Sequence, residues 1–221
     1  MKAVGTLVKL GFALVLLLSF SAGAQTSGAR CDLTGRQFTL PLLETAIANR
    51  QLSLLVVAPA AQSPAGADTS RDDGSLPFRI VAALRAQRPD LAIDLDTIDN
   101  TGLGLSDVMP ILAERLSQRP VALVVWQVGN VEIARGDSAA LVSSILADAA
   151  GLVSANNADL ILVDPDPDPT LENQPDFPSI EASLAQAAAH NGVAFYRQTG
   201  FGAAATPACT SHGIAHLITH S

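Results

Sequence analysis

The stretch that decides the fold is VALVVWQVGNVEIARG, residues 121–136. It opens with a continuous apolar run that ends abruptly at Gln127, and glycine and asparagine follow within three residues. An apolar run bounded by turn residues is typical of a strand buried on both faces, as in the middle of a parallel sheet. In open α/β sheets, ligand sites lie just past the carboxyl ends of such strands. The polar residues of 127–132 are therefore predicted to border a functional site.

Apolar strands and amphipathic helices alternate along the rest of the chain. We expect strands at 52–58, 91–98, 121–126, 159–163 and 193–196, and helices at 40–49, 77–87, 106–118, 136–155, 179–190 and 213–219. The segment 91–98 alternates apolar and polar residues, which favours a half-exposed edge strand, and Ser106 is expected to cap the helix that follows. Strand–helix alternation predicts a three-layer α/β fold, a five-stranded parallel sheet with helices on both faces.

The segment between the fourth strand and the next helix, residues 164–178, is rich in proline and acids. So many prolines exclude a helix or a central strand, so we expect a surface loop. Asp164, Asp166 and Asp168 alternate with proline, which resembles no calcium loop, and a solvated acidic loop is the favoured interpretation. No metal or other cofactor is expected.

The first 24 residues have the pattern of a secretory signal peptide. Lys2 and Lys9 flank the start of an apolar segment that runs to Phe20, and the small residues 22–24 follow where a signal peptidase reads. The apolar part is short for a membrane span, although a retained anchor is the alternative. We expect a secreted or periplasmic protein with no membrane span after cleavage. Its mature chain has an N-terminal arm and short helix at 25–50, then one domain.

The composition excludes some classes of partner. The chain has 13 basic and 21 acidic residues, and both lysines leave with the signal peptide, so 11 basic residues remain and the net charge is 11 − 21 = −10. Such a surface does not suit nucleic acid or anionic lipid, which require basic patches.

Two cysteines remain after cleavage, Cys31 and Cys209. An even pair in an exported protein favours a disulfide, and closing so long a loop contributes up to about 5 kcal/mol in the chain-entropy model. Two free thiols are one alternative. A metal site with His212 and His216 is another, although the spacing is not that of a zinc site.

The segment WQVGNVE, residues 126–132, ends the central strand, Gly102 follows the second strand, and CTSH stands at 209–212 near the last helix. With these blocks, the chain resembles the SGNH (GDSL-type) hydrolase family over about residues 52–217. The resemblance implies a flavodoxin-like sheet of order 2-1-3-4-5 in a domain over 51–221. It also implies an activity of the kind found in esterases, lipases, deacetylases and acyl transferases.

The family's first three motif blocks can be carried over residue by residue. The nucleophile position falls on Gln62, whose amide nitrogen is not a nucleophile, and Ser63 is one residue late. The glycine whose N–H helps to hold an oxyanion corresponds to Gly102. The oxyanion asparagine falls on Val131, which has no hydrogen-bond donor, although Asn130 is adjacent and could substitute after a shift of one residue.

The fourth block, D-x-x-H, has Cys209 in place of the orienting acid, while His212 keeps the position of the base. A literal GDS ends at Ser138, but it follows the third strand and is expected to cap a helix. Nucleophile, oxyanion amide and orienting acid are thus all replaced, and a triad works as a unit.

The resemblance therefore predicts a secreted SGNH-type protein that has lost hydrolase chemistry. It would act as a binding or accessory module in the cell envelope, with an acylated glycan or an envelope protein as partner. One alternative is an active esterase or deacetylase that uses Ser63 or Ser138 with His212. Another is a purely structural envelope protein.

Overall fold

A five-stranded, fully parallel sheet forms the centre of the computed structural model, which describes residues 38–60, 74–165, 169–198 and 207–220. Its strands are β1 (Gln51–Ala58), β2 (Ala92–Asp99), β3 (Leu123–Gln127), β4 (Asp159–Val163) and β5 (Ala194–Tyr196). They lie in the order β2-β1-β3-β4-β5. The predicted fold class and strand order are therefore confirmed.

Helices cover both faces of the sheet. They are α1 (Pro41–Ala48), α2 (Leu76–Gln87), α3 (Leu105–Gln118), α4 (Asn130–Arg135), α5 (Ala139–Ala155), α6 (Pro169–Glu172), α7 (Phe177–His190) and α8 (Pro207–His220). Two separate apolar clusters result, one under α1, α2 and α8 and the other under α3, α5 and α7. Successive strand side chains point to opposite faces, so Leu54 joins the first cluster and Leu55 the second.

The central position of β3 explains the apolar run that defines it. All of its residues are buried, and it pairs with β1 on one side and β4 on the other. Helices cover both of its faces, so apolar and β-branched side chains are favoured at every position rather than at alternate ones. The strand ends at Gln127, where the polar residues begin.

Helices α3 and α8 differ from the sequence prediction in where they begin. α3 begins at Leu105 with Gly104 as its N-cap residue, whereas Ser106 was expected to cap it. The carboxylate of Asp107 accepts a hydrogen bond from the N–H of Gly104 at 3.0 Å, so an acid inside the first turn satisfies the helix start instead. A short helix, α4, also follows β3 directly.

The second boundary is that of α8, which has 14 residues rather than the predicted turn or two. Helix α8 packs against α2, and this burial stabilises it. Its sequence pattern alone is only a weak indication of a helix.

The acidic loop after β4 also differs from the prediction. Asp164, expected to be solvated, is fully buried, and the short helix α6 lies inside the segment predicted to be all loop. Asp166 and Asp168 lie outside the described residues. Its carboxylate accepts a hydrogen bond from the backbone N–H of Gln198, which follows β5.

The N-terminal predictions stay predictions, since residues 1–24 and Cys31 lie outside the described ranges. Cys209 is buried near the start of α8 and is not a free thiol, but its pairing with Cys31 is likewise outside those ranges. Within the described ranges, no helix has the length and apolar character needed to cross a bilayer.

Asp159, at the start of β4, satisfies the N terminus of α1 from a distance. Its Oδ2 accepts hydrogen bonds from the backbone N–H groups of Leu42 and Leu43, at 2.9 and 2.8 Å. The N-cap residue of α1, Leu40, has no polar side chain that could do this. Burial raises the pKa of the Asp159 carboxyl above its ordinary value, and this outweighs the two hydrogen bonds, which lower it.

Two substitutions of Asp159 should separate the contribution of its acceptor oxygen to stability from that of its negative charge. Asp159→Ala is expected to lower the free energy of unfolding by about 1–2 kcal/mol, because two N–H groups lose their partner. Asp159→Asn keeps an acceptor oxygen and avoids the cost of the buried charge, so it should be at least as stable as the wild type at pH 7.

The pH dependence provides the check on this prediction. Because the folded pKa is raised, the wild-type protein loses stability as pH rises from the unfolded pKa through the folded one. The advantage of Asp159→Asn should therefore vanish at low pH, as measured by urea denaturation across pH 3–7. An Asp159→Asn variant that is as destabilised as Asp159→Ala at pH 7 would contradict it.

Candidate functional site

A cleft of about 190 Å³ opens at the carboxyl ends of β1, β2 and β3. Its walls are the loop after β2, residues 100–105, and the end of β3 with the start of α4, residues 126–132, and Pro59 completes them. Chain order reverses between β1 and β3, and such switch points are where α/β sheets bind ligands. The cleft therefore lies at the place where the sequence predicted a functional site.

The loop after β2 is held to the end of β1 by Asp99. Its Oδ1 accepts hydrogen bonds from the Thr101 hydroxyl at 2.6 Å, the Thr101 N–H at 2.9 Å and the Ala60 N–H at 3.0 Å. These bonds, that of the Thr101 hydroxyl first, lower the pKa of the Asp99 carboxyl. The turn then passes through Gly102 at φ +71°, a conformation that favours glycine.

Asn100 lies at the base of the cleft and is 8 % exposed. Its Nδ2 donates a hydrogen bond to the carbonyl of Gln127 at 3.2 Å, which joins the ends of β2 and β3. Its Oδ1 is buried and has no hydrogen-bond partner. The N–H of Gly102, on the same loop, makes no hydrogen bond to the described residues.

The opposite wall begins at Gly129, which has φ +103° and ψ −27°. A Cβ added here would lie 2.6 Å from Cγ of Pro165 and 3.1 Å from Cδ1 of Leu184, so both the backbone conformation and the space require glycine. This turn directs the chain from β3 into α4 and brings Asn130 and Val131 to the cleft.

Glu132 joins the two walls. Its side chain is buried, Oε1 accepts a hydrogen bond from the N–H of Leu105 at 2.6 Å, and Oε2 accepts one from the N–H of Gly129 at 3.1 Å. One carboxylate therefore satisfies the starts of both α3 and α4, where helix dipoles favour negative charge. We call this arrangement the Glu132 clamp. The sequence analysis missed it, although an acid three residues after Gly129 is the spacing of a capping box.

Arg135 reinforces the same wall from the surface. Its guanidinium donates to Oδ2 of Asp107 and to the carbonyl of Gly102, both at 3.1 Å. The hydrogen bond from the N–H of Gly104 lowers the pKa of the Asp107 carboxyl, and the hydrogen bond from Arg135 lowers it further. These contacts lie at exposed side chains and position the loop more than they stabilise the fold.

The structure brings together only some of the residues predicted to form the site. Gly102, Asn130 and Val131 all line the cleft. Gln62 and Ser63, the family nucleophile position and its neighbour, lie outside the described residues.

His212 and Ser138 are not among the residues that line the cleft. His212 is exposed on α8. Ser138 is the N-cap of α5, where its hydroxyl accepts a hydrogen bond from the N–H of Leu141 at 3.3 Å.

A buried polar network anchors the start of α8. Asp164 Oδ1 accepts a hydrogen bond from the N–H of Gln198, whose Nε2 donates to the Asp164 carbonyl at 2.7 Å. Gln198 Oε1 in turn accepts from the Thr210 hydroxyl at 2.7 Å, and the Tyr196 hydroxyl donates to the Cys209 carbonyl at 3.2 Å. Burial, with a smaller contribution from Asp164, raises the pKa of Tyr196 to about 12. The network therefore sets the position of the helix that carries His212.

Among the described residues, no group of three or more His, Cys, Asp or Glu side chains is arranged to hold a metal ion.

A β2-β1-β3-β4-β5 parallel sheet with a cleft at the β1–β3 switch point places the chain in the flavodoxin-like class of three-layer α/β proteins. Residues 28–200 match the Non-GDSL lipase-like family, and the chain belongs to that family. The predicted resemblance to SGNH (GDSL-type) hydrolases is thereby confirmed. No curated protein sequence matches the chain.

Solved structures share the fold at low sequence identity. TesA is 22 % identical, with 65 % of this chain and 76 % of that chain covered and a TM-score of 0.53. Axe2, an acetylxylan esterase from Geobacillus stearothermophilus, is 15 % identical, with 65 % and 74 % covered and a TM-score of 0.51. The psychrotrophic esterase EstA from Pseudoalteromonas sp. is 15 % identical, with 66 % and 76 % covered and a TM-score of 0.50.

Proposed function

We propose that this protein is an exported binding or accessory module of the cell envelope, built on an SGNH-type esterase fold, that does not hydrolyse esters. The observation that carries the proposal is the chemistry of the cleft walls. Of the described residues that line the cleft, Glu132 alone is titratable, and both of its oxygens are committed to the Glu132 clamp. A general base must reach the proton that it abstracts, and this carboxylate is occupied by backbone donors.

The oxyanion position supports the same proposal. The family's asparagine falls on Val131, a residue of the cleft wall whose side chain cannot donate a hydrogen bond. Loss of one such donor typically lowers kcat by about 10²–10³. The remaining apolar lining, which includes Leu103 and Trp126, suits a small neutral group better than a developing charge.

The partner class follows from the family and from the charge of the chain. One fold relative is an acetylxylan esterase, and an acylated glycan is a neutral ligand that an acidic protein does not repel. An envelope protein is the other partner that we propose. The predicted signal peptide at residues 1–24 supports export to the periplasm or beyond.

An active esterase is the second candidate, and one observation favours it. The N–H of Gly102 makes no hydrogen bond to the described residues at the cleft, as an oxyanion donor would require. In that case Ser63 would be the nucleophile and His212 the base. Ser138 is a poorer candidate because its hydroxyl caps α5 away from the cleft.

Hydrolysis of p-nitrophenyl acetate separates the two candidates. For the full chain purified after export, we expect a rate equal to that of buffer within error, and no change in His212→Ala or Ser63→Ala. Ser138→Ala serves as a matched serine control outside the cleft. Turnover well above buffer that both His212→Ala and Ser63→Ala abolish, while Ser138→Ala retains it, would establish the esterase instead.

A further inference from the structure

The last two turns of α8 carry two histidines whose rings lie against each other. His216 and His220 are four residues apart, so they share one face of the helix. Their ring centroids are 4.0 Å apart and the ring planes are tilted by 33°. His216 is half-buried and His220 is exposed, so the pair is accessible from solvent.

Hydrogen bonds assign the tautomer of His220. Its Nδ1 lies 3.1 Å from the carbonyl oxygen of His216 and 2.8 Å from the hydroxyl oxygen of Thr219. A carbonyl oxygen only accepts, so Nδ1 carries the hydrogen and, in the neutral ring, Nε2 keeps its lone pair. Histidines that bind metal ions almost always donate their other ring N–H to a carbonyl, a carboxylate or water, which fixes the orientation of the ring.

The electrostatics of this helix end favour a cation. The last four carbonyl groups of a helix lack N–H partners within it, and the aligned peptide dipoles place a partial negative charge there. Helix α8 has 14 residues and ends at His220. The formal net charge of the chain is −8, which also attracts cations.

We infer that His216 and His220 form a binding site for one divalent transition-metal ion of the copper or zinc type, with two imidazole nitrogens as ligands and water in the remaining positions. Such ions bind imidazole nitrogen at about 2.0–2.1 Å, which places two tetrahedral ligand nitrogens about 3.3 Å apart. Rings that already lie against each other reach this arrangement by side-chain rotation. Mg²⁺ and Ca²⁺ prefer oxygen ligands, so the pair should discriminate against them.

The inferred site is separate from the cleft. The Thr219 hydroxyl lies 2.9 Å from Oε1 of Gln87, the last residue of α2. From there the chain enters the amino end of β2 at Ala92, whereas the cleft opens at the carboxyl ends of the strands. The inference therefore does not depend on whether the cleft binds or hydrolyses a ligand.

Isothermal titration calorimetry tests the inference on the full chain purified after export, without a histidine tag and in a buffer that does not chelate metals. The probes are CuCl₂, ZnCl₂ and MgCl₂. We expect one Cu²⁺ ion per chain, weaker binding of Zn²⁺ as in the Irving–Williams order, and no binding of Mg²⁺. The electron paramagnetic resonance spectrum of the bound Cu²⁺ should show two coordinated imidazole nitrogens.

Variants locate the ion. His216→Ala and His220→Ala should each weaken Cu²⁺ binding at least about tenfold, because the second imidazole binds intramolecularly at a high effective concentration. His190→Ala removes an exposed histidine at the end of α7 and is the matched control, so it should leave the affinity unchanged. His220 is exposed, so His220→Ala decides the result if His216→Ala does not fold.

A Cu²⁺ affinity that His220→Ala leaves unchanged would overturn the inference, because the ion would then be bound elsewhere. Equal losses in His190→Ala and His220→Ala would overturn it as well, since they would indicate binding to exposed histidines in general. Neither result bears on the hydrolysis of p-nitrophenyl acetate, so failure of the metal site and failure of the proposed function can be told apart.

Discussion

Replacing Glu132 with alanine should lower the free energy of unfolding by about 4 kcal/mol, because it leaves two buried backbone N–H groups without partners. Those groups belong to Leu105 and Gly129, the starts of the cleft walls. Leu105 and Gly129 have no side-chain acceptor that could take the place of the carboxylate. Urea denaturation followed by circular dichroism measures the loss.

Two variants control for this effect. Glu132→Gln retains the shape but presents an NH₂ group to one of the two N–H donors, so we expect it to recover less than half of the lost stability. Asp148→Ala removes an exposed acid from α5 and should change the free energy of unfolding by less than about 0.5 kcal/mol. A loss at Glu132→Ala no larger than that at Asp148→Ala would show that the clamp is not stabilising.

Replacing Gly213 with alanine is expected to cost about 3 kcal/mol, because the added methyl group overlaps a buried ring. Gly213 lies inside α8, and a Cβ there would come within 2.5 Å of Cε2 and Cζ of Tyr196 and closer still to its hydroxyl. The ring is held by the bond from its hydroxyl to the Cys209 carbonyl, so it cannot move aside without losing that bond. Thermal and urea unfolding measure the cost.

Gly151 provides the matched control, since it too lies inside a helix. An added Cβ there meets nothing within 4 Å, so Gly151→Ala should raise stability by up to about 1 kcal/mol through helix propensity. In a double-mutant cycle, Tyr196→Ala should remove most of the cost of Gly213→Ala, because the overlapping atoms are gone. Equal effects of the two glycine substitutions would contradict the predicted overlap.

Much of the fold could be predicted from local patterns alone. Apolar runs and helical periodicity are local properties of the chain, and they placed β3 at the centre and β2 at an edge. The position of the cleft followed as well, because a parallel sheet brings the carboxyl ends of its strands to one edge. The motif WQVGNVE at residues 126–132 indicated the family.

The candidate site was less predictable, because its key interactions join residues far apart in the chain. Glu132 contacts Leu105 across 27 positions, and Asp159 caps a helix more than 100 residues before it. Asp164 was expected to be solvated because its neighbours are proline and acid. It is buried because Gln198, 34 residues later, supplies donors to it.

The sequence by itself determined the alternation of strands and helices and the buried centre of the sheet. Only the tertiary structure decided which polar groups have partners. It commits the Glu132 carboxylate to two helix starts and leaves Asn100 Oδ1 without a donor. The reason is that apolar periodicity is set by neighbours along the chain, whereas the satisfaction of a hydrogen bond depends on atoms that folding brings from distant segments.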